Sequence, residues 1–75
     1  MKRILNNLLY DTDESTEVWK DESKNKVYYK TSKGNYFVVI NDKEINPISE
    51  DTVKEILGVY SVEKYVEIFG KPEEA

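Results

Sequence analysis

The sequence predicts an α+β fold, in which an antiparallel sheet of four or five strands, built from N-terminal hairpins, carries two short C-terminal helices packed on one face. Two observations support this class. Runs of apolar and β-branched residues with strand-like spacing fill the chain up to residue 48, whereas from Ser49 the apolar residues recur every three to four positions. Asn- and Gly-containing turns separate the strand-like runs, as expected for hairpins.

Residues 2–11 are predicted to form a two-stranded hairpin around Asn6-Asn7. Asn adopts positive φ more readily than other non-glycine residues, which suits a two-residue type I′ turn. This register pairs Leu5 with Leu8 and Ile4 with Leu9. Because the end nearest the turn is then apolar on both faces, we expect this hairpin to be covered on more than one side.

A short third strand is predicted at residues 17–20, and the clearest strand pair follows at residues 27–31 and 36–40. A two-residue loop at Lys33-Gly34 would place Tyr29 opposite Val38. A three-residue loop would place Tyr29 opposite Phe37, so two registers stay open.

A turn at Asp42-Lys43 is predicted to lead into an edge strand over residues 44–46. Pro47 is expected to end this strand, because proline cannot donate a hydrogen bond to a ladder.

The helical spacing begins at Ser49, a plausible N-cap, and Gly58 is expected to interrupt or end the first helix. The second helix is predicted to start with Ser61 as N-cap and to stop at Gly70, before a mobile tail at residues 71–75. The predicted inward stripes are Val53, Ile56, Leu57 and Tyr60 on the first helix and Val62, Tyr65, Val66 and Phe69 on the second.

Composition excludes several activities. The chain is 39% apolar and 35% charged, has a net charge of −4, and contains no cysteine and no histidine. Disulfides, thiolate zinc sites and nucleophiles activated by histidine are therefore absent, and three separate glycines make no phosphate-binding loop. We expect one domain that is not an enzyme and has no catalytic, cofactor-binding or metal residue.

Location follows from the same composition and from the apolar runs. No run approaches the ~20 residues of a membrane span, and Asn6-Asn7 comes too early for a signal-peptide apolar stretch. The expected location is the cytoplasm, with no membrane partner.

Charge is distributed unevenly, with an acidic segment at residues 11–22 beside a lysine-rich hairpin. The acidic segment places oxygen-bearing side chains at the spacing of a calcium-binding EF-hand loop. Thr16 occupies the position where that loop needs glycine, and both flanks are predicted strands. A solvated acidic linker is therefore the favoured interpretation.

The leading functional hypothesis is a protein-interaction module, binding an unidentified protein or its own copy through aromatic and charged residues that the sheet and helices leave uncovered. The alternatives are nucleic-acid binding through the Lys/Tyr-rich hairpin, where rings and cations would contact bases and phosphates, and an acidic antagonist of a nucleic-acid-binding protein. The candidate partner-binding residues are Trp19, Tyr28, Lys30, Lys33, Tyr36 and Phe37.

Several short pieces are spread over most of the chain, namely residues 2–4, 10–12, 29–31, 33–37, 45, 47–49, 65 and 68–70. Together they resemble a group of small uncharacterised acidic proteins of Gram-positive bacteria, often carried on mobile elements or phages. That group usually has Asn-Gly at the first turn, where this chain has Asn6-Asn7, and often a longer polar insert before the Ile-x-Pro strand. The resemblance implies a bacterial cytoplasmic setting and no activity.

Overall fold

The computed structural model describes residues 1–75, which form six strands followed by two helices. β1 and β2 form a separate hairpin, and the other four strands form one antiparallel sheet in the order β3-β4-β5-β6. The predicted α+β class is confirmed. The elements are β1 (Lys2–Leu5), β2 (Leu8–Asp11), β3 (Thr16–Asp21), β4 (Lys26–Lys30), β5 (Tyr36–Ile40), β6 (Glu44–Ile48), α1 (Glu50–Tyr60) and α2 (Val62–Phe69).

Strand β5 is buried on both faces. Because successive side chains of a strand point to opposite sides, Tyr36 and Val38 pack into one core while Phe37 and Val39 pack into another. The helices supply the first core and the N-terminal hairpin supplies the second. The four-stranded sheet is thus the middle of three layers.

The helix-side core consists of residues from the sheet and from α1. Val53 and Leu57 of α1 are almost completely buried and pack with Tyr28 and Tyr36. α2 adds partly buried side chains, with the Phe69 ring centroid 6.2 Å from that of Tyr36. This side holds the larger of the two cores.

The hairpin-side core is organised around the Phe37 ring. Tyr10 of β2 meets it edge-on at 5.5 Å between centroids, and Tyr29 stacks on it at 5.1 Å. Arg3 Nη1 donates a 2.8 Å hydrogen bond to the Ile45 carbonyl oxygen, which ties β1 to β6. Aromatic packing and this charged hydrogen bond together hold the hairpin on the sheet.

Each hairpin adopts a register that its turn allows. Leu5 pairs with Leu8 as predicted, and Asn6 and Asn7 have φ values of 51° and 64°. In the β4–β5 hairpin Tyr29 lies opposite Phe37, so the three-residue loop is the register that forms. Gly34 in this loop has a φ of 90°, which glycine adopts without strain.

The predicted third strand is confirmed and contains a β-bulge. The register of β3 against β4 shifts between Glu17 and Trp19. Regular alternation would send Val18 and Trp19 to opposite faces, but both pack against the helix-side core. The bulge therefore places the only tryptophan on the same side as the helices.

The predicted ends of one strand and one helix are wrong. β6 continues through Pro47 to Ile48, since an edge strand has one side that needs no ladder hydrogen bond. α1 continues through Gly58 to Tyr60. Glycine costs about 1 kcal/mol in a helix, and the continued helix places the Tyr60 ring against Trp19, with 6.1 Å between the ring centroids.

The helix N-caps and the inward stripe of α2 differ in part from prediction. Ser49 Oγ accepts the Thr52 N–H at 3.1 Å, whereas Ser61 makes no side-chain cap bond to α2. The predicted stripe of α2 is wrong at Val62 and Val66, which are exposed, because α2 turns Tyr65, Ile68 and Phe69 towards the sheet instead. On α2 the predicted and the observed inward stripe both have helical spacing, so only packing against the sheet decides which of the two is buried.

Neither helix is long and apolar enough to cross a membrane. Residues 71–75 have no secondary structure and are exposed.

Burial on α1 gives a direct stability test. Leu57 is 1% exposed and Val59, two residues along the same helix, is 74% exposed. Leu57→Ala is expected to lower the free energy of unfolding by about 2–5 kcal/mol, because it leaves a cavity. Val59→Ala is the matched control and should change it by no more than about 0.5 kcal/mol. Urea unfolding measures both, and equal losses would contradict the described burial.

Candidate functional site

The aromatic residues proposed from the sequence as partner-binding lie mainly in the two cores. Tyr28 and Tyr36 are buried in the helix-side core and Phe37 in the hairpin-side core. Their rings are therefore not on the surface that a partner contacts, which corrects the sequence-based placement. Trp19 is half-buried.

The proposed lysines are exposed but are not interleaved with exposed rings. Lys30 holds its Nζ 5.6 Å from the centroid of the Tyr36 ring. Lys33 lies in the β4–β5 loop, beside a groove of about 300 Å³ that separates this loop from β2. Stacking of bases requires accessible aromatic faces, which the tyrosines and phenylalanine of this hairpin do not offer together.

The acidic segment folds as two short 3₁₀ turns on either side of β3, and not as a calcium-binding loop. Asp11 accepts the Asp13 N–H at 3.0 Å, and Asp21 accepts the Lys24 N–H at 3.3 Å and the Ser23 hydroxyl at 2.7 Å. The Ser23 hydroxyl is the main cause that lowers the pKa of Asp21. No group of three acidic side chains converges as metal ligands would, so these carboxylates act as turn caps.

One exposed apolar area lies where α1 meets α2, and we call Trp19, Val59, Tyr60 and Val62 the junction surface. Trp19 is stacked between Tyr28 and Tyr60, with centroid distances of 5.8 and 6.1 Å. Val59 and Val62 are 74% and 62% exposed. Since residues 59–62 are consecutive, their Cα atoms lie within about 11 Å of one another, and Tyr60 connects this segment to Trp19.

Charged residues surround the junction surface and are mostly acidic. Glu55 lies one turn before Val59 on α1, and Glu63 follows Val62 on α2. The segment that contains Asp21 runs directly from Trp19, and its carboxylate is near enough to Tyr28 to influence its ionisation. Lys24 is the exception, with its Nζ 5.2 Å from the Tyr60 ring centroid. An apolar centre with a net negative border results.

A second exposed apolar area is the outer face of the N-terminal hairpin, and we call Ile4 and Leu9 the hairpin surface. Ile4 and Leu9 form a cross-strand pair and are 71% and 55% exposed. The expectation that this hairpin is covered on more than one side is wrong. Tyr10 and Leu5 pack on the sheet, while Ile4 and Leu9 lie on the other face of the hairpin and stay accessible.

Sequence reasoning missed most residues of both surfaces. The sequence did contain a signal for the hairpin surface. Apolar residues lie on both faces of this two-stranded hairpin, and only one of the two faces can pack on the sheet. The indication for the junction surface was the surplus of apolar positions on α2, which exceeds one stripe.

Comparison with protein-family models, with curated proteins and with solved structures finds no significant match to this chain.

Burial of Tyr28 beneath the junction surface gives a pH prediction. Burial raises the pKa of Tyr28 above its ordinary value of 10.0, and the charges of Asp21 and Tyr60 raise it further. The folded state thus holds the phenolic proton more tightly than the unfolded state. The stabilisation is fully present below pH 10.0 and is lost as the pH rises from there through the higher folded-state pKa.

Urea unfolding between pH 8 and pH 11 should show a free energy of unfolding that falls at the alkaline end. Tyr28→Phe should reduce this fall, and adding Tyr29→Phe should reduce it again, since burial also raises the pKa of Tyr29. Identical alkaline losses in wild type and both variants would contradict this account of the buried phenols.

Proposed function

We propose that this protein is a non-enzymatic protein-interaction module and that the junction surface contacts its protein partner. The observation that carries the proposal is the exposure of Val59, Tyr60 and Val62 around the half-buried Trp19. Tryptophan and tyrosine at the centre of a patch are the residue types that dominate binding free energy in protein interfaces. The proposal keeps the bacterial cytoplasmic setting that the sequence favours.

The stacking of Trp19 supports this role. A side chain that is already held between Tyr28 and Tyr60 loses little conformational freedom when a partner covers it. Binding free energy is then not spent on ordering the anchor residue. Ring stacking thus holds Trp19 and Tyr60 in place before a partner arrives.

The border of the junction surface favours a protein partner over a nucleic acid. Glu55 and Glu63 beside an apolar centre repel phosphates, whereas charged residues at the rim of a protein interface orient the partner. The chain offers no comparable apolar centre among the exposed lysines of the β4–β5 hairpin. Proteins with a basic or neutral contact surface fit this border.

Capture from a lysate of the source cells tests the proposal. The baits are the wild-type chain, the double variant Val59→Ser with Val62→Ser, and a control that carries Glu73→Ser and Glu74→Ser in the exposed tail. Wild type and control should recover the same protein, and the junction variant should recover at least about tenfold less of it, which corresponds to losing one well-buried contact.

The recovered protein, once purified, should also change the fluorescence of Trp19, the single tryptophan of the chain. Circular dichroism of each bait confirms that the variants are folded. A set of captured proteins that does not differ between wild type and the junction variant would contradict the proposal.

A further inference from the structure

We propose that the groove between β2 and the β4–β5 loop binds an extended segment of a partner protein, which pairs with the free edge of β2 as an added strand. This inference goes beyond the proposed function, because the groove shares no residue with the junction surface. Three features support it: the unpaired backbone groups of β2, the position of the groove along them, and the obstruction of the edges of the central sheet.

The hydrogen-bond pattern of the N-terminal hairpin leaves backbone groups of β2 without a partner. In an antiparallel pair, opposed residues that exchange hydrogen bonds alternate with opposed residues that do not, and the latter turn their N–H and C=O groups away from the partner strand. The Thr12 N–H donates to the Met1 carbonyl oxygen at 3.0 Å, which fixes this alternation. The N–H and C=O of Leu9 and the N–H of Asp11 therefore point away from β1, and no other group of the chain bonds them.

The groove runs along this free edge. Every residue of β2 lines it and no residue of β1 does, so one of its walls is the side of β2 that faces away from β1. The β4–β5 loop forms the other wall, where the Thr31 N–H donates to the Asn35 carbonyl oxygen at 2.8 Å. Because this loop bonds itself, it does not satisfy the edge of β2. The strand is four residues long, or about 14 Å, so the groove of about 300 Å³ takes a short segment.

The edges of the central sheet are less suited to an added strand. On β6, Pro47 has no N–H, and the Ile45 carbonyl oxygen already accepts the hydrogen bond from Arg3. On β3, the bulge between Glu17 and Trp19 interrupts the ladder. Proline and bulges on edge strands are established obstacles to strand pairing. β2 contains neither of them.

An extended polypeptide is the occupant that the free groups of β2 fit. Donors and an acceptor at strand spacing are matched by the backbone of another strand, which provides the affinity in β-strand addition. An antiparallel segment exchanges two hydrogen bonds with Leu9 and accepts one from the Asp11 N–H. Its residue opposite Leu9 lies beside the Leu9 side chain of the hairpin surface, which is 55% exposed. An apolar residue fits that position, since cross-strand apolar pairs stabilise a sheet.

Proline substitution at two matched positions tests the proposal. Leu9 and Ile4 form a cross-strand pair, and the N–H of each points away from the other strand. Leu9→Pro removes the donor on the groove side. Ile4→Pro removes the equivalent donor of β1, which lines no groove, and is the matched control. Neither change removes a hydrogen bond of the hairpin ladder, and circular dichroism with thermal unfolding checks that both variants are folded.

The probe is a peptide selected from a random twelve-residue library displayed on phage, with the purified full chain as bait. The selected peptide should bind wild type and Ile4→Pro equally and Leu9→Pro at least about tenfold more weakly, because the proline removes a donor and obstructs the edge. The double variant Val59→Ser with Val62→Ser should bind it as wild type does. Failure of this inference is thereby distinguished from failure of the proposed function, which depends on those two valines.

Amide hydrogen exchange provides a second measurement that needs no variant. The Leu9 and Asp11 amides should exchange at least about tenfold more slowly with the peptide bound than in the free chain, because they become hydrogen-bonded. The Ile4 amide should exchange at the same rate in both states. Methylation of the peptide nitrogen opposite Leu9 should abolish binding, since that N–H donates to the Leu9 carbonyl oxygen.

Three outcomes overturn the inference. A library that yields no binding peptide contradicts it, and so does a peptide that binds Leu9→Pro as tightly as wild type. A peptide that slows exchange in α1 or α2 and not at Leu9 shows a different site. A wild-type dimer that is lost in Leu9→Pro and kept in Ile4→Pro shows that a second copy of the chain, and not a partner protein, pairs with β2.

Discussion

Burial of strand β5 on both faces is the constraint on which the rest of the structure depends. Phe37 has no exposed surface and meets the Tyr10 ring of the hairpin, while its neighbour Tyr36 packs towards Phe69 of α2. A central strand without a polar face needs a cover on each side. The chain supplies the two covers from its opposite ends, the hairpin from residues 2–11 and the helices from residues 50–69.

This arrangement also explains why apolar side chains remain outside. A domain of 75 residues buries only about 60–65% of the surface of its unfolded chain, and its two cores are correspondingly small. The hairpin covers the sheet with the face that carries Leu5 and Tyr10, and its other face leaves Ile4 and Leu9 exposed. On the other side, the end of α1 and the start of α2 leave Val59 and Val62 uncovered. The two candidate interaction surfaces are thus a consequence of how the middle layer is covered.

Local pattern and turn chemistry predicted much of this fold. Asn6-Asn7 predicted the register of the β1–β2 hairpin, and the change in apolar spacing at Ser49 predicted where α1 begins. The choice between two loops at Gly34 was not local, because it depends on whether Tyr29 or another residue stacks on Phe37. Side-chain packing across strands decided it.

The candidate site was harder to predict, since it depends on irregular features. The bulge in β3 brings Trp19 to the helix side, and neither the residues around it nor their spacing indicate a bulge. On α2, Phe69 packs towards the sheet as predicted, but Ile68 joins it and Val62 is left exposed. A sequence shows which residues are apolar, but tertiary packing decides which of them are left exposed.

A double-mutant cycle on the Tyr10 and Phe37 rings tests the two-sided burial of β5 most directly. Free energies of unfolding are measured for Tyr10→Leu, Phe37→Leu and the double variant, and in parallel for Tyr10 with Tyr36→Leu. The expected coupling is about 0.5–1.5 kcal/mol for Tyr10 with Phe37 and close to zero for Tyr10 with Tyr36, which faces the other core. Absence of coupling between Tyr10 and Phe37, or equal coupling to both residues of β5, would contradict the three-layer arrangement.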